Sequence, residues 1–138
     1  MFKGMVITKE ILDKLSAEAK VNPRLRQNYD LRNSDADQSQ RMLNALEPGT
    51  IVPIHRHRTS SEIVTIVRGA IREYFYDENG TVTETIELRH GCSVPLLVVP
   101  KGVWHNLECL ESGTIIYESK DGAYEPTAAE DIMGVQGV

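Results

Sequence analysis

From residue 41 onward, short runs of β-branched and apolar residues are broken by turn signals about every ten residues. The breaks fall at Pro48-Gly49, Thr59 to Ser61, Gly69, Asn79-Gly80, His90-Gly91, Pro100 to Gly102, Ser112-Gly113 and Asp121-Gly122. Runs this short cannot carry the apolar stripe of a helix bundle, so the pattern predicts an all-β sandwich or barrel. Within it, "YFYDENGTVTETIEL" reads as a hairpin, its Asn-Gly pair suited to the positive φ angles of a type I′ turn. A single helix precedes these strands. In "TKEILDKLSAEAKVNP", Thr8 is placed to cap, Ile11, Leu12, Leu15 and Ala19 share one face, and Asn22-Pro23 ends the run.

The division expected is a helix and connector over residues 1–40, a barrel over 41–126, and a tail over 127–138. A chain of 138 residues is most simply one domain. Its net charge of −5 disfavours a phosphate backbone, so nucleic acid is not an expected partner. No apolar run approaches the roughly 20 residues of a membrane helix, and no membrane partner is expected. "MFKGMVITKE" lacks the apolar core of a signal peptide, and Cys92 and Cys109 are too few for a disulfide framework. A cytoplasmic location is the resulting expectation.

Chemistry concentrates in "GTIVPIHRHRTSSEIVTIVRG", residues 49–69. His55 and His57 are two apart, so on a strand both imidazoles project from one face, about 6.6 Å apart at the backbone. If residues 58–61 turn the chain into an in-register hairpin, Glu62 lies opposite His57 with Cβ atoms about 5 Å apart. Two imidazole nitrogens and a carboxylate oxygen are a donor set that borderline divalent metals favour. "PKGVWH" delivers a fourth candidate, His105, from a tight turn into a strand. The competing reading is a polar strand face with satisfied hydrogen bonds.

These residues resemble the cupin family. Gly49, five residues, His55-x-His57, four residues, Glu62, six residues and Gly69 follow the first cupin motif, and Pro100-x-Gly102-x-x-His105 follows the core of the second. The resemblance implies a single double-stranded β-helix (jelly-roll) barrel with an N-terminal α-helical extension. It further implies one divalent ion per chain, Fe, Mn, Ni or Zn, held by His55, His57, Glu62 and His105. Four protein ligands leave two positions on an octahedral ion and close a tetrahedral Zn²⁺ site. A homodimer is expected because cupin barrels commonly pair. "NPRLRQNYDL", "QRMLNALEPGT", "GVWHNLE" and "YESKDGAYEP" are similar to the WbuC-type cupin metalloproteins, which implies a link to surface polysaccharide metabolism. The second motif departs from the family in its long Gly91–Pro100 spacing and in Cys109, where asparagine is common. Arg32 also stands where that subfamily often has histidine.

Other residues carry two readings each. Arg56 and Arg58 should face away from the histidines, with a basic anion site as the alternative. His90 reads as a surface residue, and Trp104 as packing or as a ligand wall. Arg24 and Arg26 are either solvated charges or a clamp for an anionic substrate. Lys120, Arg72 and Tyr74 are further substrate-binding candidates, and Glu118 and Tyr124 are candidates for proton transfer. The expected function is a metal-dependent enzyme of isomerase, epimerase or oxygenase type, with a small polar or anionic molecule as partner. By resemblance that molecule is a carbohydrate or sugar-nucleotide derivative. The alternatives are a non-catalytic sugar- or anion-binding module and a structural metal site.

Overall fold

The computed structural model describes residue 1 and residues 4–134. Helix α1 spans Lys9–Val21, with the Thr8 side chain accepting a hydrogen bond from the Ile11 amide at 3.3 Å. Ten strands follow. They are β1 (Arg26–Asp30), β2 (Ser39–Leu46), β3 (Ile54–His55), β4 (Glu62–Arg68), β5 (Ala70–Tyr76), β6 (Val82–Arg89), β7 (Leu96–Val99), β8 (Trp104–Cys109), β9 (Thr114–Asp121) and β10 (Ile132–Gly134). They form two five-stranded sheets, in the orders β1-β2-β9-β4-β7 and β10-β3-β8-β5-β6. The pairings between strands are antiparallel, and the arrangement is the jelly-roll barrel of the cupins with a helical N-terminal extension. No helix among the described residues is long and apolar enough to cross a membrane.

Residues alternate across each strand, so the register fixes what faces the interior. Val64, Ile66, Leu97, Val99 and Ile116 from the first sheet meet Ile71, Leu88, Leu107 and Cys109 from the second in one buried cluster. The opposite face of the first sheet is also apolar. Leu43, Ala45 and Ile115 pack there against Leu15 and Ala19 of α1, which explains the stripe along that helix. Between β4 and β5 the chain passes from one sheet to the other at Gly69, φ 75°, where a Cβ would sit 2.9 Å from the Thr114 Cα. Only glycine fits that approach.

Three local readings are corrected. The connector before residue 41 contains β1 and the start of β2, because Arg26, Asn28 and Asp30 alternate on a polar strand that has no apolar signature. The tail contains a 3₁₀ turn at Ala129–Asp131 and β10, which pairs with β3; residues 135–138 lie outside the described residues. The β5–β6 turn is not type I′. Gly80 alone has a positive φ, 80°, and the Asp77 carboxylate accepts hydrogen bonds from the Asn79 and Thr81 amides at 2.8 and 3.0 Å. That local capping holds Asn79 in the right-handed region, and a bulge at Phe75/Tyr76 absorbs the extra residue.

Candidate metal centre

His55 ends β3 and stands directly across from His105 of β8, with ring centroids 4.4 Å apart. His57 follows β3 and meets the His55 ring edge-on at 4.9 Å. Its carbonyl accepts the Gly102 amide at 2.8 Å, tying the first motif to the Pro100–Gly102 turn that launches β8. Glu62 reaches this group by a different route from the expected hairpin. It begins β4 in the other sheet, paired with Val99 and Lys120, so residues 56–61 cross the barrel between sheets. Glu62 Oε2 nevertheless comes within 3.3 Å of His57 Nε2 and 3.5 Å of His105 Nε2. The ligand atoms of the three histidines all lie within 4.8 Å of one another.

The hydrogen bonds of the rings set their protonation. His55 Nδ1 lies 2.8 Å from the Pro53 carbonyl and His105 Nδ1 lies 2.9 Å from that of Val103. A carbonyl only accepts, so each Nδ1 carries a proton and each Nε2 is left for the site. Burial, then the neighbouring His105, push the His55 pKa down to about 4, which keeps that ring neutral at physiological pH. Burial alone would raise Glu62, but its nearness to His105 and His57, with the Lys120 charge, outweighs this and holds it well below the usual carboxylate range. Buried His57 Nε2 and Glu62 Oε2 have no hydrogen-bond partner. Imidazole nitrogens and a carboxylate oxygen gathered at one buried point, two of them without a partner, fit a divalent ion. The carbonyl partners on Nδ1 are the outer support such ligands ordinarily have.

The site opens into a cavity of about 240 Å³. Its walls include Glu73, Glu118, Lys120, Asn44 and Arg26, with Leu46 and Val52 on the apolar side. Glu73 is 1% exposed and its Oε2 has no partner. Burial, then the charges of Glu62 and Glu118, push its pKa well above the usual carboxylate range. Glu118 faces the cavity from β9. Burial and the Glu62 charge push it up to about 7, with Lys120 opposing.

The candidates therefore separate. Glu118, Lys120 and Arg26 line the cavity beside the histidines. Arg24 lines an adjoining polar groove with Arg26 and Asn44. Tyr124 is not among the cavity walls; the chain bends away at Gly122, φ 141°, leaving the ring 58% exposed, with the Arg32 guanidinium 5.9 Å from its centre. Arg72 and Tyr74 point outward because they alternate with inward Glu73, and both reach Glu108, at 3.5 and 2.9 Å. Arg56 and Arg58 face away from the histidines as expected, each donating to Asp131 Oδ1, at 2.8 and 2.6 Å. Trp104 packs with Ile54 and Tyr76 outside the cavity, under the Arg56 guanidinium at 4.5 Å. His90 is exposed.

Sequence reading passed over Glu73 and Asn44. The signal for Glu73 was its phase, shared with Ile71 and Phe75. It was masked because Tyr74 and Tyr76 make the opposite phase look equally apolar.

Fold and site together define the class: a single barrel of the cupin fold whose described residues include a histidine triad able to hold a metal ion. More narrowly, the family model "Domain of unknown function (DUF6016)" matches residues 7–88, and the chain belongs to that family. Similar solved structures include KdgF from Halomonas sp., 18% identical, covering 76% of this chain and 85% of that one, with a TM-score of 0.58. Oxalate oxidase in complex with glycolate is 15% identical over 78% of this chain and 56% of its own, with a TM-score of 0.60. Oxalate decarboxylase from Bacillus subtilis is 19% identical over 79% of this chain, with a TM-score of 0.57. The chain spans just over half of the oxidase and 27% of the decarboxylase. At these identities the likeness establishes the fold. No curated protein sequence gives a significant match.

Proposed function

We propose that this protein is a divalent-metal cupin in which His55, His57, Glu62 and His105 are the ligands and a small polar molecule occupies the cavity beside them. The observation that carries the reading is the unpartnered buried pair of His57 Nε2 and Glu62 Oε2, aimed at one point on the wall of an open cavity. A purely structural site would be sealed by apolar side chains, whereas this one adjoins Glu73, Glu118 and Lys120. When bound, the ion would polarise a carbonyl or hydroxyl oxygen of the ligand. Glu118, half-titrated near neutral pH, is suited to accept and return a proton. Glu73 in its neutral form offers an O–H donor, and Lys120 an ammonium.

Isomerisation or epimerisation requires only these groups, whereas oxidation would require an iron form and O₂. The carbohydrate or sugar-nucleotide substrate is supported by the resemblance to WbuC-type cupins. The glycolate complex of a similarly folded oxidase supports a small, oxygen-rich ligand. The outlying position of Tyr124 favours the second reading, a binding module without turnover, because it leaves one proton-transfer candidate of the two. Exposed Ile63, Leu96 and Val98 around edge strand β7 support a homodimer, which light scattering would test.

The test is stoichiometry. Chelator-treated protein titrated with Co²⁺ should saturate at one equivalent per chain, with visible bands typical of nitrogen and oxygen ligands. A titration with no saturable site would defeat the reading.

A further inference from the structure

The chain bends sharply just before β1. Leu25 has φ 56°, the only positive φ at a non-glycine position among the described residues. A branched side chain enters this region only where its surroundings hold it there. The bend is held from three sides. Leu25 donates its amide to the Asn22 carbonyl at 2.8 Å, Glu47 donates to the Leu25 carbonyl at 2.9 Å, and the Thr50 hydroxyl donates to the Arg24 carbonyl at 2.7 Å. The effect is to set the phase of β1, placing Arg26 across from Leu46 on the inward side of the first sheet.

Arg26 is half-buried there without a carboxylate partner. Every other arginine except the adjacent, exposed Arg24 has a carboxylate oxygen within 4.0 Å. Burial and the charge of Arg24 press on the Arg26 guanidinium, and Glu118 is the one acid that offsets them. A desolvated, unpaired guanidinium is costly unless something else pairs it. Arg26 and Asn44 are also shared walls, lining both the cavity at the histidines and a polar groove of about 270 Å³ bordered by Asn22, Gln27 and Asn28. Asn44 Oδ1 is buried and unpartnered at this junction, an acceptor suited to a ligand hydroxyl rather than to an anion.

We infer that the ligand is two-ended: an oxygen-bearing end faces the three histidines, and an anionic group, carboxylate or phosphate, is paired by Arg26, with a ligand hydroxyl donating to Asn44 Oδ1. The planar guanidinium offers two parallel N–H donors, which match either anion. The inference rests on the metal-centre reading for the first end only; the anion at Arg26 stands on its own geometry.

The experiment is calorimetric titration of wild type, Arg26→Lys and Arg26→Met with gluconate and glucitol, and with glucose 6-phosphate and glucose. Each protein is run metal-loaded and metal-free, with elemental analysis and circular dichroism on the same samples. Wild type should bind at least one anion about tenfold or more tightly than its neutral counterpart. Arg26→Met should bring the two within about twofold at unchanged metal content, with Arg26→Lys between them. Preference between gluconate and glucose 6-phosphate identifies carboxylate or phosphate. Equal affinities in wild type, no binding of either anion, or discrimination that survives in Arg26→Met would overturn the inference. Absent metal binding in wild type would overturn the metal centre instead, leaving the anion comparison readable in the metal-free runs.

Discussion

At one end of the first sheet the two faces invert the usual arrangement, while the rest of its inner face is core. Along β2 and β9, the residues facing away from the barrel are Leu43, Ala45 and Ile115, buried under α1. The residues facing inward toward the cavity are Asn44, Glu118 and Lys120. An ordinary sandwich sheet buries its apolar face inside and wets the other. Here the helix supplies a second apolar layer outside, which frees one end of the interior to be polar. That end holds carboxyls whose pKa values are displaced in opposite directions: Glu62 downward, Glu73 and Glu118 upward. The lesson is that α1 is part of what allows the barrel to carry a site.

The largest effect expected from breaking this contrast lies at the histidines. His57→Ala should lower divalent-metal affinity by at least about a hundredfold while the far-ultraviolet spectrum is unchanged. Retained metal on elemental analysis would remove His57 from the ligand set. On the outer face, Leu43→Ala should cost about 2–4 kcal/mol in denaturant unfolding, because a fully packed side chain under α1 is truncated. Its metal content should stay that of wild type; loss of metal would mean the two faces are not separable.

Glu118→Gln probes the inner face by pH. The folded pKa of Glu118, about 7, lies above the ordinary 4.5, so the folded state binds more protons between these values. Stability of the metal-stripped protein should therefore fall as pH rises from about 4.5 to 7, with the penalty complete above that. Glu118→Gln should then be more stable than wild type at pH 8, by on the order of 1–2 kcal/mol given the exposure of Glu118 to the cavity, and equal to it near pH 4. A difference independent of pH would show that Glu118 is not the titrating group. The smallest effect is on the outer face of the second sheet. Arg72→Ala removes only partly exposed ion pairs with Glu87 and Glu108 and should leave the denaturant midpoint of unfolding unchanged.

Much of the centre was legible before the fold was known. Imidazoles two residues apart and a histidine after a Pro-x-Gly turn are local features, and local backbone geometry places them. What failed was the route: the sequence reads as though His57 and Glu62 face each other across a hairpin, whereas Glu62 arrives from the opposite sheet. Both routes bring the same atoms together, so spacing alone could not separate them.

The sequence by itself determined the class of elements, the capped helix, the places where the chain turns and the pairing of His55 with His57 on one stretch. These depend on periodicity and on what glycine and proline permit within a few residues. Tertiary structure alone decided which phase of each strand faces the cavity. It enclosed Glu73, turned Tyr124, Arg72 and Tyr74 away, and left Arg26 unpaired inside. When both phases of a strand are partly apolar, alternation names two faces without saying which is in. Only the packing of α1 on one side and of the second sheet on the other resolves that choice.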